Sequence, residues 1–169
     1  MISAMTLKVI AKNLINLLYP RCCESCKKGM AADSAAPVCA SCVGRIKRSA
    51  HTRTDPKDIG RRFTIARSAC IYEGVLKELI HSFKYKGKIA LAETLSSYMI
   101  EAASSDEALT CGINAVTFVP IQDNLISKRD YNHSQVLAGR IAKALELPLL
   151  DALKKIRRTR PQNELSREE

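Results

Sequence analysis

The sequence predicts an α/β fold preceded by a small module built on cysteines, and three observations predict it. Two C-x2-C pairs, Cys23/Cys26 and Cys39/Cys42, stand twelve residues apart. From Arg67 onward, short apolar runs alternate with amphipathic stretches. One of these runs, "AVTFVP", is short, apolar and closed by proline, the form taken by buried parallel strands. A chain of 169 residues, 46% of them hydrophobic, carries enough apolar surface for a real core, which excludes wholesale disorder.

The first element is "MTLKVIAKNLINLLYP". Its apolar residues Leu7, Ile10, Leu14, Leu17 and Leu18 recur at helical spacing, so residues 1–18 are expected to form an amphipathic helix that docks on the rest. Lys8, Lys12, Asn13 and Asn16 interrupt the stretch and no small-residue cleavage site follows, so it makes a poor signal peptide. No apolar run reaches the length of a membrane span. A cytoplasmic location with reduced thiols is therefore expected.

The cysteine module comes next, in "CCESCKKGMAADSAAPVCASC". Each C-x2-C can present two thiolates from one tight turn, and two facing turns make a tetrahedral S4 site for structural zinc. Gly29, Ala31, Ala32, Ser34 and Pro37 mark the intervening stretch as a loop. Disulfides are disfavoured by the odd count of seven cysteines, and a redox C-x-x-C normally occurs once, beside a strand and a helix. The expected ligands are Cys23, Cys26, Cys39 and Cys42, with Cys22 a neighbour able to replace Cys23 in register. Cys70 is expected as a buried core thiol and Cys111 as an exposed one.

Val43 to Arg62 holds seven basic and two acidic residues and reads as a basic linker, with His51 exposed in it. Residues 19–60 thus form a zinc ribbon with its linker, and residues 61–169 the α/β domain. There "ARSACIYEG" is expected as a strand ending at Gly74. "VLKELIHSFKYKG" then places Val75, Leu76, Leu79, Ile80 and Phe83 on one helical face. A second helix follows, with Ile89, Ala92, Leu95 and Met99 inward. After the loop "SSDEALTCGIN" come the "AVTFVP" strand, a basic loop, and a helix with Leu137, Ile141 and Leu145 on its stripe.

Lysine plus arginine outnumber aspartate plus glutamate by 27 to 17, a formal net charge of +10, which favours an anionic partner. Aromatics are only 5% of the chain and Trp is absent, which argues against a surface that stacks single-stranded bases. The runs Val43–Arg62 and Lys154–Arg160 are the candidate nucleic-acid contacts, with a solvated face as the plainer reading.

The order of these features resembles the ComF family, bacterial relatives of the phosphoribosyltransferases. The resemblance rests on "YPRCCESC" and "CASC", on "YEGVLKELIHSFKYKG", on "VPIQDNLISKRDYNHS" and on "RRTRPQNELS", and spans essentially the whole chain. It implies a partial type I phosphoribosyltransferase-like fold with an N-terminal zinc ribbon. It also implies phosphoribosyl diphosphate with Mg2+ as the family's ligand, and a link to competence and DNA uptake. Lys84, Lys128, Arg129 and Asn132 are the residues it places on the diphosphate side.

The loop before the last helix answers to that role. Lys128 and Arg129 supply charge, and Asn132 caps the helix with Gln135 as reciprocal partner. Tyr131 is expected to pack and His133 to face solvent from the first turn. Asp130 stands where the family favours glycine, which sets a negative charge beside any bound diphosphate. The family's acidic pair and Thr-Thr-Gly loop are not found before Glu169, so a truncated product without transfer activity is expected. A zinc-ribbon module binding single-stranded DNA or a DNA-translocating partner is the alternative, and a non-functional fragment a third.

Overall fold

The computed structural model describes residues 20–31, 34, 36–49, 64–121 and 131–156. The N-terminal helix expected over 1–18, residues 50–62 of the basic linker with His51, Lys128 and Arg129, and residues 157–160 of the C-terminal charge run lie outside them. The chain divides into two compact units, Met1–Cys111 and Gly112–Glu169. The ribbon and the first two long helices therefore share one unit, where composition alone suggests a boundary after residue 60.

In the first unit, residues 21–30 fold back as a tight hairpin. Cys22 pairs antiparallel with Gly29, and the Met30 N–H donates to the Arg21 carbonyl at 2.8 Å. Lys27 sits at φ 60°, the left-handed conformation that closes the turn after Cys26, and its N–H donates to the Cys23 carbonyl at 2.9 Å. The second C-x2-C opens a single helical turn, α1 (Ala40–Val43), through Cys42 and Val43 N–H groups donating to the Cys39 carbonyl.

The expected strand over "ARSACIYEG" is reduced to local pairing. Arg48 bridges Cys70 antiparallel, flanked by Ser49 N–H to Ala69 O and Ile71 N–H to Lys47 O. Its described partner is only the few residues that leave the second knuckle, too short to propagate a ladder. Gly74, at φ 48°, then turns the chain into α2 (Gly74–Tyr85), which buries Val75, Leu76, Leu79, Ser82 and Phe83. Ile80 is half-buried at the margin of that face. Gly87, at φ 63°, supplies the left-handed residue after the helix end.

α3 (Leu91–Ser104) packs on α2, but not through the expected stripe. Leu91, Ala92, Leu95, Ser96 and Tyr98 are buried, whereas Ile89 and Met99 are 49% and 39% exposed. Ile89 lies in the turn before the helix starts, and the buried face is the one that α2 covers. The loop "SSDEALTCGIN" contains one further turn, α4 (Glu107–Thr110), capped by the Asp106 carboxylate accepting from Ala108 N–H. That carboxylate also meets Arg67 at 2.8 Å, with both side chains 7% exposed. Cys70 is half-buried and Cys111 exposed.

The second unit is a βαβ arrangement. β1 (Val116–Thr117) leads through the described part of its loop to α5 (His133–Ala144) and then to β2 (Leu149–Leu150). The strands pair in parallel, Val116 with Leu149 and Thr117 with Leu150, as a parallel pair joined by a helix requires. Ala138 and Ala142 are the buried centre of α5, with Leu137, Ile141 and Leu145 half-buried beside them. The expectation of a strand buried on both faces does not hold. Phe118 is buried, yet Val119 is 69% exposed, because two short strands offer little width to cover. The described residues thus make a mixed, mostly helical α/β chain with a two-stranded parallel sheet. Among them no helix is long and apolar enough to cross a membrane.

Candidate metal centre

The two knuckles bring Cys23, Cys26, Cys39 and Cys42 together, with all four sulfurs within 4.8 Å of one another. A Zn–S bond of about 2.3 Å gives a tetrahedron with edges of about 3.8 Å. The Cys26 and Cys39 sulfurs are 3.8 Å apart. The donor set therefore fits a metal ion such as zinc, and four thiolates would fill its coordination, leaving no position for a substrate. Cys22 is excluded from the cluster: it is exposed, and its thiol turns back to the Pro20 carbonyl at 3.6 Å.

The surroundings favour thiolates at defined positions. Burial pushes the Cys23 thiol up, but the backbone N–H groups of Cys39, Cys26 and Ser25 outweigh it and bring it down to about 6. The Cys39 N–H lies 3.4 Å from the Cys23 sulfur. Burial likewise opposes ionisation of Cys42, and the Arg45 guanidinium, donating to its sulfur at 3.1 Å, helps to lower it. At Cys39 the Cys42 backbone N–H favours the thiolate. The Cys42 side chain, desolvation and the other two sulfurs together push it up to about 11. Four crowded sulfurs without a cation cannot all be anionic, which is the electrostatic condition a divalent metal relieves.

Second-layer contacts tie this centre to the helices. Ser25 Oγ donates to Glu78 Oε2 on α2 at 3.0 Å, and Glu24 pairs with Lys88 at 2.9 Å and Lys27 at 3.2 Å. The Tyr98 hydroxyl of α3 donates to the Val43 carbonyl at 3.2 Å. In the described part of the basic linker every cation is engaged within the chain. Arg45 bonds Cys42, Lys47 pairs with Glu73 at 2.7 Å, and Arg48 makes two 2.9 Å bonds to Glu101 while lying 5.2 Å from the centre of the Tyr98 ring. These contacts are structural and differ from the solvated face that the charge run alone suggests for this segment.

The second unit carries a separate crevice of about 480 Å³, lined among others by Phe118, Pro120, Asn132, Gln135, Asp151 and Lys154. It lies where β1 and β2 end and α5 begins, the usual ligand position of a parallel α/β unit. Asn132 is there as expected: its Oδ1 accepts from Ser134 N–H at 3.0 Å and Gln135 N–H at 3.4 Å, and its amide donates to the Val119 carbonyl. Among the described residues no return bond from the Gln135 side chain to the Asn132 N–H is found. His133 corrects the expectation of a solvent-facing ring, being 7% exposed and packed at 4.7 Å against Tyr131. Lys84 is exposed in the last turn of α2, in the first unit, Asn132 stands at the start of α5 in the second, and Lys128 and Arg129 lie outside the described residues.

Sequence reasoning missed the roles of Arg45, Asp151 and the Arg67–Asp106 pair. Arg45 three residues after Cys42 was a readable signal, since i+3 returns to the same side of a helical turn. The other residues meet their neighbours only through tertiary folding. Comparison of the chain with protein-family models, curated proteins and solved structures finds no match.

Proposed function

We propose that this chain is a ComF-like, phosphoribosyltransferase-related protein, linked to DNA uptake. In this reading Cys23, Cys26, Cys39 and Cys42 hold a structural zinc ion, and the βαβ unit receives a phosphate ester. The observation that carries the reading is the crevice at the ends of β1 and β2, with the capped N-terminus of α5 at its margin. Backbone N–H groups at such a helix start favour an anion, and Lys154 and Lys155 line the same crevice. Asp151 opposes a polyanion there, so the affinity for diphosphate is low. Zinc supplies folding free energy to the ribbon and takes no part in chemistry at this crevice.

Isothermal titration of the full chain with phosphoribosyl diphosphate and Mg2+ is the test. The expected result is saturable binding in the high micromolar to millimolar range, weakened by Arg129→Ala and by Lys154→Ala. Heat of dilution alone at millimolar ligand would refute the phosphate-ester reading. Elemental analysis of protein purified without chelator is expected to give one zinc per chain.

A further inference from the structure

A crevice of about 400 Å³ lies between the first metal knuckle and α2. Glu24 and Ser25, the two residues between Cys23 and Cys26, form one wall with Lys27, and Tyr72, Lys77, His81 and Lys86 line the opposite side. Of its two carboxylates, Glu24 is paired by Lys27 and Lys88, whereas Glu78 accepts from the neutral Ser25 hydroxyl and keeps its charge. Among the described residues, Lys77 and Lys86 meet no carboxylate, so the crevice has cationic capacity left for a ligand.

Its aromatic content is the second observation. Only two tyrosines or phenylalanines among the described residues are largely exposed, Tyr72 at 60% and Tyr85 at 50%. Tyr72 lines this crevice, and Tyr85 rests against the ring of His81, which also lines it, with centroids 5.0 Å apart. Low aromatic content across the chain argues against base stacking, yet folding gathers the exposed rings beside unpaired lysines. Aromatic faces bordered by cations are what a phosphate carrying a planar base requires.

We propose that the crevice between the first C-x2-C knuckle and α2 binds a nucleotide, with Tyr72 stacking on the base and Lys77 and Lys86 meeting the phosphate. The nucleotide is either free or one unit of a single strand. Its volume lies within the range of small-molecule sites. The site does not depend on the phosphoribosyltransferase resemblance; it needs the metal only because the knuckle forms one wall.

The test is titration of the zinc-loaded full chain with AMP, with a ten-residue oligothymidylate and with inorganic phosphate. Tyr72, Lys77 and Lys86 are exposed, so their alanine variants retain the fold. AMP binding that weakens about ten-fold in Tyr72→Ala, and also in Lys77→Ala and Lys86→Ala, is the expected result. Binding of the oligonucleotide alone, with the same dependence on those residues, supports the site with a single strand as the source. No binding of either probe, or binding indifferent to Tyr72 and both lysines, overturns the proposal. So does inorganic phosphate competing as well as AMP, since the base would then contribute nothing. Failure of the unsubstituted zinc-loaded chain to bind either AMP or the oligonucleotide, while it still binds phosphoribosyl diphosphate, would sink this site and leave the other reading intact.

Discussion

The two units differ in what holds them. The first surrounds Phe83, Leu79 and Leu91, all at most 1% exposed, with a cysteine cluster on one side and a buried ion pair at Arg67–Asp106. The second buries Phe118, Ala138 and Ala142 but leaves Val119, Leu150, Leu153 and Ile156 at 48% exposure or more. Small side chains at the centre of α5 remove little apolar area from water. The first unit thus joins packing to a four-cysteine cluster that fits a metal ion, whereas the second depends on a thin core, a helix cap and one strand pair. Order in a short module comes from cross-links that reach its neighbours as much as from its own apolar content.

Removing the metal should break the comparison most strongly. Cys39→Ser is expected to abolish tight zinc binding and to shift α2 and α3 as well, because Ser25 connects the first knuckle to α2 and Val43 the second to α3. Amide hydrogen exchange resolved by segment checks this. Protection lost only in residues 21–45, with that of 75–104 intact, would show that the centre is energetically separate from the helical pair.

Core truncation comes next. Phe83→Ala, at 1% exposure, is expected to destabilise the first unit by roughly 3–5 kcal/mol through lost burial and the cavity left behind. Chemical denaturation followed by far-ultraviolet circular dichroism measures it. A cost near that of a surface substitution would mean that α2 and α3 are held by the metal knuckles and not by their shared core.

Acid sharpens the contrast by acting on one unit. Cys23, ordinarily near 9.0, stands at about 6 in the folded chain, so folding favours its thiolate. In the metal-free chain its contribution is present in full above the unfolded value and is lost as pH falls through about 6. The ultraviolet thiolate absorbance of the metal-free folded chain should therefore fall as pH drops through about 6. An absorbance that stays flat across that range would contradict the role given to Cys23.

The smallest effect concerns the second unit. Asn132→Ala removes the acceptor for two N–H groups of α5 and is expected to cost about 1 kcal/mol, seen as a modest drop in that unit's thermal transition. An unchanged transition would show that the helix start is held by His133 and Tyr131 packing instead.

Local patterns determined much of this protein. The spacing of four cysteines fixed the metal-fitting cluster, because two tight turns leave their thiols few places to point. The 3.6-residue period fixed α2, and Asn132 before an amphipathic run fixed the start of α5. Tertiary structure decided which sulfur of Cys22 and Cys23 joins the cluster, since that depends on which thiol the hairpin turns inward. It also decided that α3 buries Leu91 and Tyr98 and exposes Ile89 and Met99, because a helix with apolar residues on several sides takes its inner face from its partner. The charges of Arg45, Lys47 and Arg48 read as a solvated run in one dimension and become bonds to Cys42, Glu73 and Glu101 in three. Arg45 and Cys42 are three positions apart and locally readable, but the pairings of Lys47 and Arg48 across 26 and 53 positions leave no periodic trace, since the closing loop is set by packing and not by local spacing.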